Sequence, residues 1–345
     1  MGDLRRRVLF VTGGSIGDAA LTSGLLAHFV DSEPDAWFTV AAGPVAASLF
    51  AETPRLEALI PIVKRRRGLH WFDLWRRVGG RRWSAAIDMR GSGLAYFLRA
   101  ERRFVYRRER RPADAPPLHK ALEAARVVGL LDRPPALKLY ASAETEALAD
   151  ALVGRERPIL AIAPAATWPP KTWPAERFAE VALALLGAGG PLAGGRALLT
   201  GGARDAPIFA PIRAALPPSR VIDVIGRDLL TVYACFKRAR LFVGNDSGPM
   251  HLAAAAGAPT LGLFGPSDER LYGPWGPRTA VVRGTSFDDY QALVAAPENR
   301  LRLMTGLEVE AVVAAARALL ERTRDVEAAP VDGAEAASSA RAFVR

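Results

Sequence analysis

The chain reads as an α/β protein built on parallel sheets, and three observations predict it. Short apolar runs alternate with helical periods along the whole sequence, punctuated at regular intervals by Gly and Pro. The alternation restarts after residue 158, so two successive units of similar size are expected. Half of the 345 residues are apolar, enough for two cores and too many for one average core. Strands alternating with helices imply parallel sheets covered on both faces. The expectation is therefore two Rossmann-like domains facing across a cleft, 1–153 and 158–324, joined near 154–158.

In the first domain Val8–Thr12 reads as a buried strand, the loop Gly13–Gly17 follows, and Asp18–Val30 is a helix. Phe38–Ala41 is the next strand and Pro44–Ala51 a helix. Leu59–Ile62 and Ala85–Met89 are strands with an aromatic and basic helix between them. Val105 marks a further strand, and His119–Val128 and Glu144–Leu152 are helices. In the second domain Ile159–Ala163, Ala197–Thr200 and Val221–Val224 are strands, with helices at Pro174–Leu186 and Leu229–Arg238. Leu307–Arg322 is a closing helix with Thr305 as its N-cap. From Asp325 the sequence is Ala, Glu, Ser and Pro without period, and 325–345 is expected to be a disordered tail.

The most informative stretch is Leu241–Pro277. A buried strand (Leu241–Val243) runs into the small polar turn Gly244–Gly248, then an Ala-rich helix from Pro249 to Ala256 that Gly257 stops. Thr260–Phe264 is another strand. A strand, a small-residue turn and a helix in that order aim backbone N–H groups and a positive helix end at one point, which is an anion site and most often a phosphate site. Pro249 suits the first helical turn, where its missing N–H costs nothing.

Ligands in open α/β sheets bind at the carboxyl ends of strands, and three more such loops carry polar residues. Gly13–Asp18 lacks the dinucleotide spacing, because only Gly14 and Gly17 stand three apart. Asp18 either favours the helix dipole or accepts a proton from an alcohol. Lys171 stands between Pro-constrained turns, either solvated or reaching an anionic ligand. Asp205, after Gly201-Gly202, is either a turn residue or a partner for a ribose diol.

Composition narrows the classes. The net charge of +10 is concentrated between Ile60 and Pro112, where 16 Lys/Arg face only Asp73, Asp88, Glu101 and Glu109. Such a block attracts a polyanion (nucleic acid, anionic lipid head groups or phosphorylated glycans) or is simply a solvated face. Trp71, Phe72, Trp75 and Trp83 lie among the arginines, as membrane-interface residues or as core with Trp71, Leu74, Trp75 and Val78 on one helix side. The apolar runs fall far short of the ~20 residues that span a bilayer. Arg5–Arg7 precede only VLFV, so no signal peptide is expected there. The single cysteine, Cys235, excludes an intramolecular disulfide framework, fits a reducing cytoplasm and reads as a small buried residue.

Taken together, the segments resemble glycosyltransferase family 9, the ADP-heptose:lipopolysaccharide heptosyltransferases. Ser15, Ile16, Gly17 and Asp18 match the family's S-x-G-D. Lys171–Pro174 match K-x-W-P, Gly244–Ala254 match G-x-D-S/T-G-x-x-H-L-A-A, and Phe264–Asp268 match F-G-P-S/T-D. The motifs run in family order from Val8 to Pro277. The resemblance implies a GT-B architecture with the acceptor on the first domain, along the Ser15–Gly17 loop, and the nucleotide sugar on the second. It implies inverting transfer with Asp18 as general base. Lys171, Ser247 and Gly248 would then serve the diphosphate, Asp205 the ribose, Asp246 the sugar or the turn, and His251 the ligand or the helix. It implies ADP-heptose as donor, no cofactor and no metal. An anionic glycolipid would be the acceptor, and nucleic acid is not the expected partner. The expected location is cytoplasmic, with peripheral contact at the inner membrane surface through segment 64–111. Thr12 departs from the pattern, since many members carry a basic residue there, and the family's usual late cysteines are missing. Alternatives are the same family with another nucleotide sugar or acceptor (a protein or other envelope polymer), or a non-catalytic binder of a nucleotide or an anionic surface.

Overall fold

The computed structural model describes residues 5–108, 112, 115–154, 156–295 and 304–324. The residues divide into two compact units, one ending at Ser142 and one starting at Ala143. The tail expected at 325–345 lies outside the described residues.

The first unit contains β1 (Arg7–Val11), α1 (Ile16–Ser32), β2 (Trp37–Ala42), α2 (Pro44–Ala47), β3 (Leu56–Pro61), α3 (Leu69–Val78), β4 (Arg82–Asp88), β5 (Arg99–Val105) and α4 (Lys120–Val127). Its five strands are all parallel, in the order β3-β2-β1-β4-β5. β1 is apolar throughout its buried length, and β4 is apolar except for the buried Ser84 and Asp88, because helices cover both faces. The helix expected over Pro44–Ala51 breaks after Ala47 into a tighter turn, Ser48–Phe50, and β3 begins earlier than its most apolar residues suggest.

The second unit contains α5 (Ala143–Val153), β6 (Ile159–Ala163), α6 (Ala175–Leu186), β7 (Arg196–Leu199), α7 (Ala210–Ala215), β8 (Val221–Asp223), α8 (Leu229–Phe236), β9 (Leu241–Asn245), α9 (Gly248–Ala255), β10 (Thr260–Phe264), α10 (Glu269–Tyr272), β11 (Thr279–Arg283), α11 (Phe287–Ala295) and α12 (Val309–Arg322). Six parallel strands lie in the order β11-β10-β9-β6-β7-β8. The core under α6 and α12 is built on Trp173, Phe178, Leu185, Leu241, Leu263 and Leu319. Glu308, not Thr305, precedes the first turn of α12. Thr305 lies in the turn Met304–Leu307, and its carbonyl accepts from Arg177.

The order reverses in the same way in both sheets. In the first, the chain moves from β1 outward through β2 and β3, then returns to place β4 on the other side of β1. In the second it moves from β6 through β7 and β8, then places β9 on the other side of β6. The loops after β1 and β4, and those after β6 and β9, therefore diverge at their carboxyl ends and leave room for a ligand.

The unit boundary also moves relative to the sequence reading, which set α5 in the first domain. α5 joins the second unit because Arg238, just past α8, holds it. Arg238 Nη1 reaches Glu146 at 2.5 Å and Nε reaches Asp150 at 2.7 Å, while Lys237 Nζ meets Glu146 at 2.5 Å. Burial works against ionisation of Glu146, but the hydrogen bonds from Lys237 and Arg238 outweigh it and hold the carboxyl below its ordinary 4.5. A depressed carboxyl contributes stability above its unfolded value, and that contribution is lost as pH falls through the folded value. Arg238→Ala is expected to lower stability by about 1–2 kcal/mol at neutral pH. Urea unfolding from pH 7 to pH 3 should show the difference between variant and wild type shrinking below pH 4.5.

Candidate functional site

In the first unit the reversal point is built on close backbone approach. A Cβ on Gly13 would stand 2.3 Å from Asp18 Cβ, and one on Gly43 would stand 2.6 Å from Gly14 Cα. Both contacts are closer than any side chain tolerates, so the two glycines let the loop after β1 fold over the base of α1 and the end of β2. Ser15 caps α1 by accepting from Asp18 N at 3.1 Å. This turns the Asp18 carboxylate outward, exposed, with no hydrogen bond or ion pair among the described residues. Asp18 therefore sits in the first turn of α1 with its carboxylate open to a substrate.

Thr12 is buried, and its hydroxyl lies 2.5 Å from that of Thr22, which in turn donates to the Asp18 carbonyl at 3.1 Å. The position thus binds the strand to the helix that carries Asp18. The neighbouring cation comes from elsewhere. Arg90, in the loop after β4, is exposed, and a side chain at Gly14 would meet its guanidinium at 3.5 Å. Asp88 shapes that loop: it is buried and accepts from Arg90 N (3.0 Å), Ser92 Oγ (2.7 Å) and Gly93 N (3.0 Å). In the sequence Arg90 and Asp88 stand out only as charges in the basic block. The signal that finds them is their place, at the end of an apolar strand that opens into the Gly-rich Met89–Gly93 loop.

In the second unit Lys171 and Asp246 come together. Lys171 closes a single turn, Pro169–Lys171, in the loop after β6, and Asp246 follows β9 directly. Lys171 Nζ reaches Asp246 Oδ2 at 2.6 Å, with Asp246 almost fully buried. Asn245 joins the two loops. Its Nδ2 donates to Pro164 O at 2.7 Å and its Oδ1 accepts from Trp173 N at 3.2 Å, both fully buried. Trp173 in turn donates to Leu307 O at 2.9 Å and packs edge-on against Phe178. In the sequence Asn245 is only one residue of the polar turn; its two bonds make it the brace of the Lys171 loop.

Ser247 is the N-cap of α9, yet its side chain makes no capping bond. The hydroxyl is buried and has no hydrogen-bond partner among the described residues. Buried polar atoms are nearly always paired, so an unpaired hydroxyl at a helix N-terminus beside a lysine points to a ligand. Gly248 opens the helix and Pro249 removes a donor that has no partner inside the helix. The turn lies tight on its neighbours, since a Cβ at Gly244 would meet the Phe242 ring at 2.7 Å. His251 is buried on the inner face of α9.

Asp205 is a turn residue here: its Oδ2 accepts from Gly202 N at 2.8 Å. Asp268, in the loop after β10, caps α10 by accepting from Arg270 N and pairs with the Arg270 guanidinium. Cys235 is fully buried in α8, and burial pushes its thiol up to about 11. It is therefore a packing residue and not a nucleophile at neutral pH. Among the described residues no helix is long and apolar enough to cross a membrane, and no group of three or more His, Cys, Asp or Glu side chains is placed to hold a metal ion.

The model of glycosyltransferase family 9 (heptosyltransferase) matches residues 71–296, more than half of the chain. Lipooligosaccharide heptosyltransferase 2 of Haemophilus influenzae is 32% identical over 171 residues, which are 46% of this chain and 48% of that protein. Lipopolysaccharide core heptosyltransferase OpsX of the same organism is 24% identical over 335 residues, 87% of this chain and 92% of that protein. The solved structure of the E. coli ADP-heptose lps heptosyltransferase II superposes with a TM-score of 0.69 at 21% identity, covering 92% of this chain and 99% of that one, and so shares the fold.

The brace yields a prediction that separates structure from charge. Asn245→Ala leaves Trp173 N and Pro164 O buried without partners, and is expected to cost about 2–4 kcal/mol. The urea midpoint of the variant should fall with an unchanged slope, and an unchanged midpoint would remove Asn245 from this role.

Proposed function

The chain belongs to glycosyltransferase family 9, and from that premise we propose that it transfers a heptose from ADP-heptose to a lipopolysaccharide core or related surface glycan, with inversion and without a metal ion. The observation that carries the donor half is the buried, unpaired Ser247 hydroxyl at the N-terminus of α9, with Lys171 held at the same strand ends by Asp246. These are the groups a departing diphosphate needs.

In this reading Asp18 accepts the proton of an acceptor hydroxyl while that oxygen attacks the anomeric carbon. The bond from the anomeric carbon to the diphosphate oxygen breaks, and its electron pair leaves with ADP. Ser247 donates to the diphosphate, and the first N–H groups of α9 stabilise the same charge. Lys171 has three donors, so it keeps Asp246 and adds a diphosphate oxygen. Such a site meets the leaving-group charge with protein groups alone, which supports metal independence; saturating EDTA should leave the turnover unchanged. Asp205, already holding its own turn, has one oxygen left for a ribose hydroxyl. His251, buried on α9, either faces the ligand or braces the helix. The acceptor's anionic groups meet Arg90, which supplies a positive charge beside Gly14 while Thr12 is committed to Thr22. Because that cation comes from a different strand than in many family members, another nucleotide sugar or acceptor is the second reading.

Asp18→Asn is expected to lower transfer by about 10²–10⁴-fold while leaving ADP affinity intact, and Lys171→Ala to weaken ADP about tenfold or more. Calorimetry with ADP and a turnover assay over a panel of ADP-, UDP- and GDP-sugars check both, and the panel names the donor. Full turnover by Asp18→Asn would remove the base. Arg90→Ala is expected to raise KM for the acceptor several-fold with kcat and ADP affinity nearly unchanged; a fall in kcat alone would place Arg90 elsewhere.

A further inference from the structure

The loop after β10, Gly265–Asp268, borders the Asp246–Ser247 turn. β10 pairs with β9, and Asp246 N donates to Leu263 O at 3.1 Å. The loop also meets the turn that carries Lys171, since a Cβ on Gly265 would lie 3.6 Å from Pro170 O. From the other side it is held by β11 and α11. Arg283, the last residue of β11, donates through Nη2 to Ser267 O at 2.8 Å and pairs with Glu269, and Gln291 donates to Pro266 O at 3.1 Å.

Those bonds leave polar atoms over. Arg283 Nε, Arg283 Nη1 and the Tyr290 hydroxyl are buried and have no hydrogen-bond partner among the described residues. Tyr290 is fully buried, and the Arg283 guanidinium lies 5.9 Å from the ring centres of both Tyr290 and Phe287. A buried polar atom is nearly always paired, so three on one guanidinium and the ring beside it point to a bound group. Its chemistry follows from the charges. Glu269 already balances Arg283, and burial pushes the Tyr290 phenol above its ordinary 10.0, so it stays neutral at neutral pH. A second anion finds no unbalanced charge here. Two N–H donors and a hydroxyl that can donate or accept, set beside aromatic rings, suit a neutral hydroxyl-bearing group such as a sugar.

We propose that Arg283 and Tyr290 hold hydroxyl groups of the sugar carried by the nucleotide donor, and so help to decide which sugar the second unit accepts. The inference rests on the donor reading given under Proposed function and adds residues to it. Strand order supports the direction: Asp205 follows β7 and Arg283 ends β11, on opposite sides of β6 and β9, whose loops carry Lys171 and Ser247. A donor with its ribose toward β7 and its diphosphate at β9 extends its sugar toward β11, two strand spacings or about 10 Å from β9. The competing account is a brace without a ligand, in which the guanidinium only rests on the Phe287 and Tyr290 rings. That account leaves the Tyr290 hydroxyl unexplained, because phenylalanine would serve such a brace better.

Calorimetry on the full chain, without acceptor, compares ADP with ADP-heptose. Tyr290→Phe is expected to weaken ADP-heptose about three- to tenfold and to leave ADP unchanged, because one hydrogen bond to the sugar is lost. Without ligand, the thermal midpoint of this variant should equal or exceed that of the wild type, since the hydroxyl has no partner in the fold. Arg283→Lys keeps a charge opposite Glu269 but loses Nε and Nη1, and is expected to weaken ADP-heptose about tenfold or more with ADP again unchanged. Unchanged ADP-heptose affinity in Tyr290→Phe overturns the inference alone. So does a parallel fall in ADP affinity, which marks a brace for the Gly265–Asp268 loop, or a thermal midpoint lower by several degrees, which marks a hydroxyl paired within the fold. A wild type that binds neither ADP nor ADP-heptose overturns the donor reading, and this inference with it.

Discussion

The constraint on which the second unit's site depends is the burial of Asn245. A carboxamide with no solvent contact must satisfy both ends, and here one end accepts from Trp173 N and the other donates to Pro164 O. Both partners belong to the loop after β6, whereas Asn245 ends β9. The two bonds therefore fix the Lys171 loop against the Asp246 turn across the point where strand order reverses. The ion pair between Lys171 and Asp246 follows from that placement, and so does the position of Lys171 beside the start of α9. Glycine permits the rest: only a residue without a Cβ fits at Gly244 against the Phe242 ring.

The first unit repeats the logic with different residues. β1 and β4 are neighbours although they are far apart in sequence, and their loops deliver Asp18 and Arg90 to one sheet edge. The buried Asp88 there does what Asn245 does in the second unit, since it spends its oxygens on the backbone and hydroxyl of the loop that follows it. In each unit a buried polar side chain at the end of the strand beyond the reversal shapes a loop, and that loop carries or meets an exposed or half-buried charge. Rigid support under a charged side chain is what holding that charge in a defined place requires.

Much of this was legible in the chain. Apolar runs such as Val8–Val11, Ile159–Ala163 and Thr260–Phe264 became parallel strands because continuous burial is how such runs satisfy both sheet faces. The Ser247–Gly248 turn and the α9 helix were legible because helix starts have local chemistry. The strand β11 was not, since its residues are only partly buried and it forms by pairing with β10 at the sheet edge. The break of the Pro44–Ala51 helix and the Glu308 start of α12 also escaped, as did the transfer of α5 to the second unit, which is decided by a partner distant in sequence, Arg238.

The amino-acid order by itself determined the alternation of strand and helix, the small polar turn after β9, the acid that opens α1 and the size of the basic block. These rest on local periodicity, capping and composition, which act over a few residues. Only the tertiary structure decided which strands are neighbours, and with that the pairing of Lys171 with Asp246, the arrival of Arg90 beside Gly14, and the commitment of Thr12 to Thr22. It also decided that Leu74 and Val78 are core while Phe72 and Trp75 are surface. The reason is common to all of them: a side chain's role depends on what packs against it, and sheet order and helix orientation are set by burial summed over the whole unit.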